Sequence, residues 1–288
     1  MPKSQNLQSL IKDESKSASA ILSAVLNDAF KQQAESIHLE TVDQEINLRY
    51  RTNNVLKKID VLPKNWIKVL SPHLKKLANL SLENDSPQEG RFKIKIGKQE
   101  KNLIVAFWPT HMGEKIILKI INDDALDALP FTKKDLDILN KSLDKKTGLI
   151  LLTQIKLADK NKLLYALLNQ LQDKNLDIFT IEDFIERPLP GIHQQQLETW
   201  QDEKVGQTLE KLFRHQPDVV MVSKITGPNI ARVIIDAAMT ENLVIAYLPG
   251  GDYQESLEHL QNWGIDKYIL DSAINTIITQ QGNKYKII

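Results

Sequence analysis

The residues that could do chemistry in this chain are informative mainly by how they fail to combine. There is no cysteine, which excludes disulfides, thiolate metal sites and cysteine nucleophiles. The six histidines, His38, His73, His111, His193, His215 and His259, include no HxxxH or HExxH pair, so the two-histidine face of a helical zinc site is missing. No Gly-x-Ser-x-Gly elbow supports serine hydrolysis. Lys156, Lys160 and Lys162 form a basic cluster that reads as a solvated face. Asp159, just ahead of a helical apolar pattern, reads as the N-cap of that helix. Gly250-Gly251-Asp252 reads as a turn, and the scattered Trp66, Trp108, Trp200 and Trp263 as core or interface anchors. His38 is expected to pack within a sheet.

The elements that must hold these residues fall into two textures. Segment 1–19 is polar and rich in Ser, Lys and Gln, a composition that resists ordering. Ile21, Leu22, Val25, Leu26, Ala29 and Phe30 then recur at helical spacing. Ile37–Leu39 and Ile46–Tyr50 read as paired strands, Ile67–Leu82 as a helix kinked or split by Pro72, and Phe92–Ile96, Leu103–Phe107 and Ile116–Ile121 as further strands. This order implies an α+β domain over 20–121, followed by an acidic, Pro130-containing linker over 122–132. From 133 to 288 short apolar runs (149–153, 178–181, 219–222, 243–248) alternate with helical patterns (160–172, 205–215, 228–239), the signature of an α/β domain with a parallel-containing sheet.

The second domain resembles the traffic ATPases of type II secretion and type IV pilus assembly. Gly148–Thr153 looks like the strand entering a Walker A loop and Leu164–Asn169 like the helix leaving it. Thr180-Ile181-Glu182-Asp183 resembles the family's Asp box, Pro190–Gln194 the segment that follows it, Arg214–Val222 the Walker B strand, and Asp236–Thr240 with Leu243–Ala246 the His-box region. Ile37–Glu40, Arg49–Arg51, Pro87–Arg91, Pro109-Thr110 and Gly113–Lys115 are similar to the family's N-terminal domain. The colinear series covers about residues 20–281, and an ordered set of motifs is far more specific than any one of them. The resemblance implies a PAS-like N-terminal domain, a RecA-like P-loop-type C-terminal domain and a hexameric ring at the inner membrane.

Against that family the chemistry is altered. A phosphate-wrapping loop needs glycines for positive φ and close N–H approach, and the family pattern is G-x-x-G-x-G-K-[ST]. Here the loop reads Gln154-Ile155-Lys156-Leu157-Ala158-Asp159-Lys160-Asn161. Lys160 stays in register, Asn161 replaces the Mg²⁺-binding hydroxyl, and a carboxylate at Asp159 would repel phosphate by about 1–4 kcal/mol at 4 Å. Ser223-Lys224 stands where the family has Gly-Glu, and a lysine is a poor general base at pH 7. Lys224 could pair with Glu182 or Asp183, placing an internal cation where Mg²⁺ would be, or could be a surface lysine at a strand end. The family's Thr-Gly-His becomes Thr240-Glu241-Asn242, and its later Leu-His-Thr becomes Leu248-Pro249-Gly250.

The implied vestigial nucleotide site is therefore Lys160, Asn161, Glu182, Asp183, Asp218 and Lys224, with no catalytic residue and no metal site. Arg49, Arg51 and Arg91 would be relict phosphate-contacting arginines or structural ion-pair partners, and Ile104 and Lys119 stand at two further family arginine positions. The expected function is that of a pseudo-ATPase in a pilus or secretion motor, without a cofactor; Mg-ATP enters only under the alternative of a nucleotide binder or slow ATPase. Expected partners are an active ATPase paralogue or an inner-membrane platform protein, in a homo- or hetero-oligomer. Lys+Arg and Asp+Glu both total 37, so no basic excess points to nucleic acid. The N-terminus does not read as a signal peptide, and no apolar run approaches the roughly 18 residues of a membrane span, so a cytoplasmic location is expected, peripheral to the membrane through partners. The family's C-terminal extension, four-cysteine zinc module and N-terminal adaptor are not recognised in this sequence.

Overall fold

The computed structural model describes residues 17–43, 45–52, 55–83, 86–97, 99–121 and 125–288. The polar segment up to residue 16 and the start of the acidic linker, 122–124, lie outside the described residues. The chain divides into two compact units between residues 122 and 123.

In the first unit, helix α1 (Ala18–Lys31) is capped by Ser17, whose hydroxyl accepts the Ala20 N–H at 3.2 Å. Strands β1 (Ser36–Val42), β2 (Glu45–Thr52) and β3 (Val55–Pro63) are followed by helix α2 (Asn65–Leu77) and by β4 (Gln88–Ile96), β5 (Gln99–Thr110) and β6 (Gly113–Ile121). They form one antiparallel sheet in the order β3-β2-β1-β6-β5-β4. One face, carrying Ile37, Leu39, Leu48, Tyr50, Val105, Phe107 and Leu118, packs on the apolar stripes of α1 and α2. Pro72 does not split its helix: α2 runs unbroken through it and ends at Leu77. Burial of Trp66, Leu70 and Leu74 on one stripe holds the two halves in line.

The second unit contains a short 3-10 turn (Leu126–Ala128), α3 (Lys133–Leu143), β7 (Gly148–Leu152), α4 (Leu157–Leu171), β8 (Ile178–Glu182), β9 (His193–Gln196), α5 (Asp202–Phe213), β10 (Val219–Val222), α6 (Pro228–Thr240), β11 (Leu243–Tyr247), α7 (Tyr253–Asn262), α8 (Lys267–Ala273), β12 (Ile274–Gln281) and β13 (Lys284–Ile287). The sheet order is β13-β12-β7-β11-β10-β8-β9, parallel throughout except for the β12–β13 hairpin. The central strands are apolar without alternation because both faces are covered. Ile150, Leu152, Val219, Met221 and Ile245 pack toward α3 and α4. Leu149, Leu151, Val220, Val222 and Val244 pack toward α5, α6, α7 and α8. Such a sheet gathers its functional side chains in the crevice at the carboxyl ends of its strands.

Candidate functional site

Four of the six expected site residues meet at that crevice. Lys160 lies on the first turn of α4, just after β7. Glu182 ends β8 and Asp183 follows it, while Ser223 and Lys224 follow β10. Lys160 is only 4% exposed. Its Nζ is 3.6 Å from Asp183 Oδ1 and 5.8 Å from the centre of the Tyr247 ring. Lys224 Nζ is 2.9 Å from Asp183 Oδ2 and 5.2 Å from the centre of the Trp200 ring. The Ser223 hydroxyl donates to Asp183 Oδ1 at 2.9 Å and accepts the Asp183 N–H at 3.1 Å. One carboxylate thus faces two ammonium groups and a hydroxyl.

The electrostatics follow from this crowding. Burial alone would raise the Asp183 pKa, yet Lys160, Lys224 and Ser223 together hold it below the ordinary aspartate value. Burial pushes the Lys160 pKa down, with Lys224 adding to the effect and Asp183 opposing it. Glu182, fully buried, is pushed up by burial even though Tyr165 Oη, Thr180 Oγ1 and Gln194 Nε2 donate to it at 2.5, 2.6 and 3.1 Å. Tyr165 Oη in turn accepts the Glu186 N–H at 3.1 Å. Glu182 is therefore held within a closed hydrogen-bond network, and Lys224 pairs with Asp183 instead.

The loop between β7 and α4 is also closed by the protein itself. Gln154 keeps a left-handed backbone, φ 53°, where the family pattern has glycine; a side chain there costs about 1 kcal/mol. Gln280, near the end of β12, inserts its amide into the entrance of α4. Its Oε1 accepts the Lys156 N–H at 2.8 Å and its Nε2 donates to Asp159 Oδ2 at 2.7 Å. The Asp159 and Lys160 N–H groups both return to Lys156 O, at 2.8 and 3.1 Å. Lys156 Nζ reaches Asn283 Oδ1 in the β12–β13 turn at 3.1 Å. Leu157 opens the helix with its side chain 77% exposed.

Three sequence expectations change here. Asp159 is not the N-cap: α4 begins at Leu157 after Lys156, which makes no side-chain cap bond, and Asp159 serves Gln280 instead. The basic cluster is not a uniformly solvated face, since Lys160 is buried between Asp183 and Tyr247 while Lys156 is exposed. Asp218 does not join the site. It precedes β10, at the opposite end of that strand from Ser223, is exposed, and accepts the Asp177 N–H at 2.7 Å. Asn161 follows Lys160 on α4 and is partly exposed. Tyr165, Gln194, Ser223 and Gln280 complete the site, and sequence reasoning did not select them. For Gln280 the sequence carries no local signal, because its partners are more than 120 residues away. Among the described residues no group of three or more His, Asp or Glu side chains could hold a metal ion.

The arginines belong to the first unit and lie on the sheet face away from α1 and α2. Cross-strand register aligns Arg51, Ser36, Lys119, Ile104 and Arg91 in one row. Two residues along β1, Arg49 stands opposite His38 and reaches on to Glu40 at 3.1 Å, and Lys115, opposite Glu40, shares that carboxylate at 3.0 Å. His38, on β1 between Ser36 and Glu40, is buried, with Nε2 3.0 Å from Ser36 Oγ. Burial, then the charges of Lys115 and Arg51, lower its pKa to about 4.

The family described as Type II/IV secretion system protein matches residues 12–282. The chain belongs to this family. Relatives in this secretion-system family include the type II secretion system protein E of Pseudomonas aeruginosa, 29% identical over 91% of this chain and 53% of its own length. The type II secretion system ATPase E of Vibrio cholerae is 28% identical over the same shares. The chain thus spans about half the length of these relatives. Among solved structures, the Legionella pneumophila ATPase DotB superposes with a TM-score of 0.75 at 15% identity, covering 96% of this chain and 82% of DotB. The pilus retraction motor PilT with bound ADP superposes with a TM-score of 0.66 at 18% identity, covering 92% and 81%. The fold is that of the secretion-family ATPases, an N-terminal α+β unit and a RecA-like unit. Among the described residues no helix is long and apolar enough to cross a membrane.

Proposed function

We propose that this chain is a member of the secretion ATPase family that does not hydrolyse nucleotide and acts as a structural or regulatory part of a secretion or pilus motor. The observation that carries the reading is the loop before α4. The Lys156, Asp159 and Lys160 N–H groups are already bonded within the protein, and Asp159 sets a carboxylate beside them. Phosphoryl transfer depends on positioning and electrostatic stabilisation of the phosphates. A loop held by Gln280, with an aspartate in its first turn, offers neither.

The fit of a magnesium nucleotide is poor for a second reason. The carboxylate best placed to serve a cation, Asp183, is taken by Lys160, Lys224 and Ser223. Two residues after β10 stands the ammonium of Lys224, which cannot accept a proton while ionised. No cofactor is assigned on this reading. The partners it points to are an intact ATPase of the same family in a mixed assembly, or the membrane platform such a motor works on, with the protein on the cytoplasmic side. The rival is a slow, atypical ATPase. It draws on one observation, that a buried lysine and an acidic pair still converge at the strand ends.

Phosphate release from Mg-ATP by the full chain, beside Lys160→Ala, separates the two. The reading predicts no release above background in either protein. Release by the wild type that Lys160→Ala abolishes would favour the rival.

A further inference from the structure

The unusual feature of the site is its stoichiometry. Asp183 meets two ammonium groups on opposite oxygens, and each lies over an aromatic ring, Lys224 on Trp200 and Lys160 on Tyr247. Glu186, fixed nearby through its N–H bond to Tyr165, adds a second negative charge that acts on Lys160. Among these four groups taken as ionised, with the neighbouring Glu182 and Arg187 outside the count, Asp183 and Glu186 balance Lys160 and Lys224. The balance depends on Lys224, whose side chain is 28% exposed and enters the cluster from the solvent side.

We propose that Lys224 is a tethered cation: its ammonium stands where a divalent ion would sit on the Asp183 carboxylate, and it keeps free metal ions out of the site. The proposal rests on the nucleotide-free reading above and names what blocks the site's cation position. The physical argument is competition. An ammonium fixed to the same chain is present at high effective concentration, whereas a hard divalent ion needs several oxygen ligands to offset the loss of its water. With Lys224 in place, Asp183 Oδ2 is paired and the cluster is neutral. Without it, Oδ2 of the partly exposed Asp183 loses its partner beside a net charge of −1 over Asp183, Glu186 and Lys160. That is a weak oxygen site of the kind that takes Mn²⁺ or Mg²⁺.

The test uses the full chain, freed of metal by chelation and with no nucleotide present. Mn²⁺ is titrated by electron paramagnetic resonance into wild type, Asp183→Asn, Lys224→Met, Lys224→Ala and the pair Asp183→Asn/Lys224→Met. Wild type is expected to show no site that Asp183→Asn removes. Lys224→Met is expected to gain one site with a dissociation constant of about 0.1–1 mM. In 10 mM Mn²⁺ its melting temperature should rise by about 3–5 °C. Both gains should vanish in the double variant. A Lys224→Met or Lys224→Ala chain that folds only with Mn²⁺ present also supports the proposal. A folded Lys224→Met with no Asp183-dependent site overturns it. So does Mn²⁺ bound through Asp183 in wild type, an outcome that needs no variant to fold at Lys224. These arms contain no ATP, so phosphate release by wild type would remove the nucleotide-free reading while leaving the Mn²⁺ result to be judged by itself.

Discussion

The arrangement of one carboxylate between two ammonium groups predicts an asymmetry between substitutions at Asp183 and at Lys160. At an effective dielectric of ~20, attractions over 3.6 and 2.9 Å amount to about 5 and 6 kcal/mol before desolvation is subtracted. Removing the carboxylate as Asp183→Asn leaves Lys160, almost fully buried, with no charge partner at contact distance among the described residues and facing Lys224. Breaking a buried pair in this way costs about 3–5 kcal/mol. Removing Lys160 as Lys160→Met leaves Asp183 paired to Lys224 and Ser223, and the methionine can pack on Tyr247. Its expected cost is within about 1 kcal/mol. The assay is urea unfolding at pH 7 followed by tryptophan fluorescence, in which Trp200 and Trp263 report on the second unit.

The sign with pH is also fixed. Asp183 has a folded pKa below its ordinary value. Its contribution is present in full above about pH 4 and is lost as pH falls through the lower, folded value. The gap between wild type and Asp183→Asn should therefore narrow in acid. Equal losses for Asp183→Asn and Lys160→Met, or a larger loss for Lys160→Met, would refute the two-on-one account.

Other consequences are testable by the same means. His38 is buried with a pKa lowered to about 4, so between pH 6.5 and 4 the unfolded chain binds a proton that the native state does not. Stability should fall across that window by up to about 3 kcal/mol, and urea midpoints of His38→Gln should be nearly flat between pH 6.5 and 5, before the carboxylates titrate. Gln280→Met keeps the volume at the entrance of α4 but removes both amide bonds, to the Lys156 N–H and to Asp159. It should cost about 1–2 kcal/mol. A change below about 0.5 kcal/mol in urea titration would show that the amide does not hold the loop.

The central strands of the second unit were legible because their apolar runs are continuous, as burial on both faces requires. The hairpin β12–β13 and the edge strand β9 were not, since Ile274–Gln281 mixes polar with apolar residues and His193–Gln196 has no apolar residue. Within the site, Lys160, Glu182 and Asp183 could be selected from ordered motifs, and a link from Lys224 to an acidic residue could be raised as an alternative. That Asp183 is the partner, with Glu182 committed to Tyr165, Thr180 and Gln194, depends on which strand ends meet. The Asp159 expectation failed for a similar reason. Cap propensity is local, but Gln280 from a distant strand sets where the helix begins and what Asp159 bonds. Asp218 shows the limit of order along the chain: it lies only five residues before Ser223, yet at the other end of β10.

The central claim is that the protein fills its own nucleotide site. It is tested most directly by isothermal titration of the full chain with Mg-ATP at pH 7. The account predicts no saturable heat at millimolar nucleotide and no change when Lys160 is replaced by Met. A saturable isotherm that Lys160→Met removes would contradict it, because it would mean that ATP can displace the Gln280 and Lys224 contacts from the loop and from Asp183.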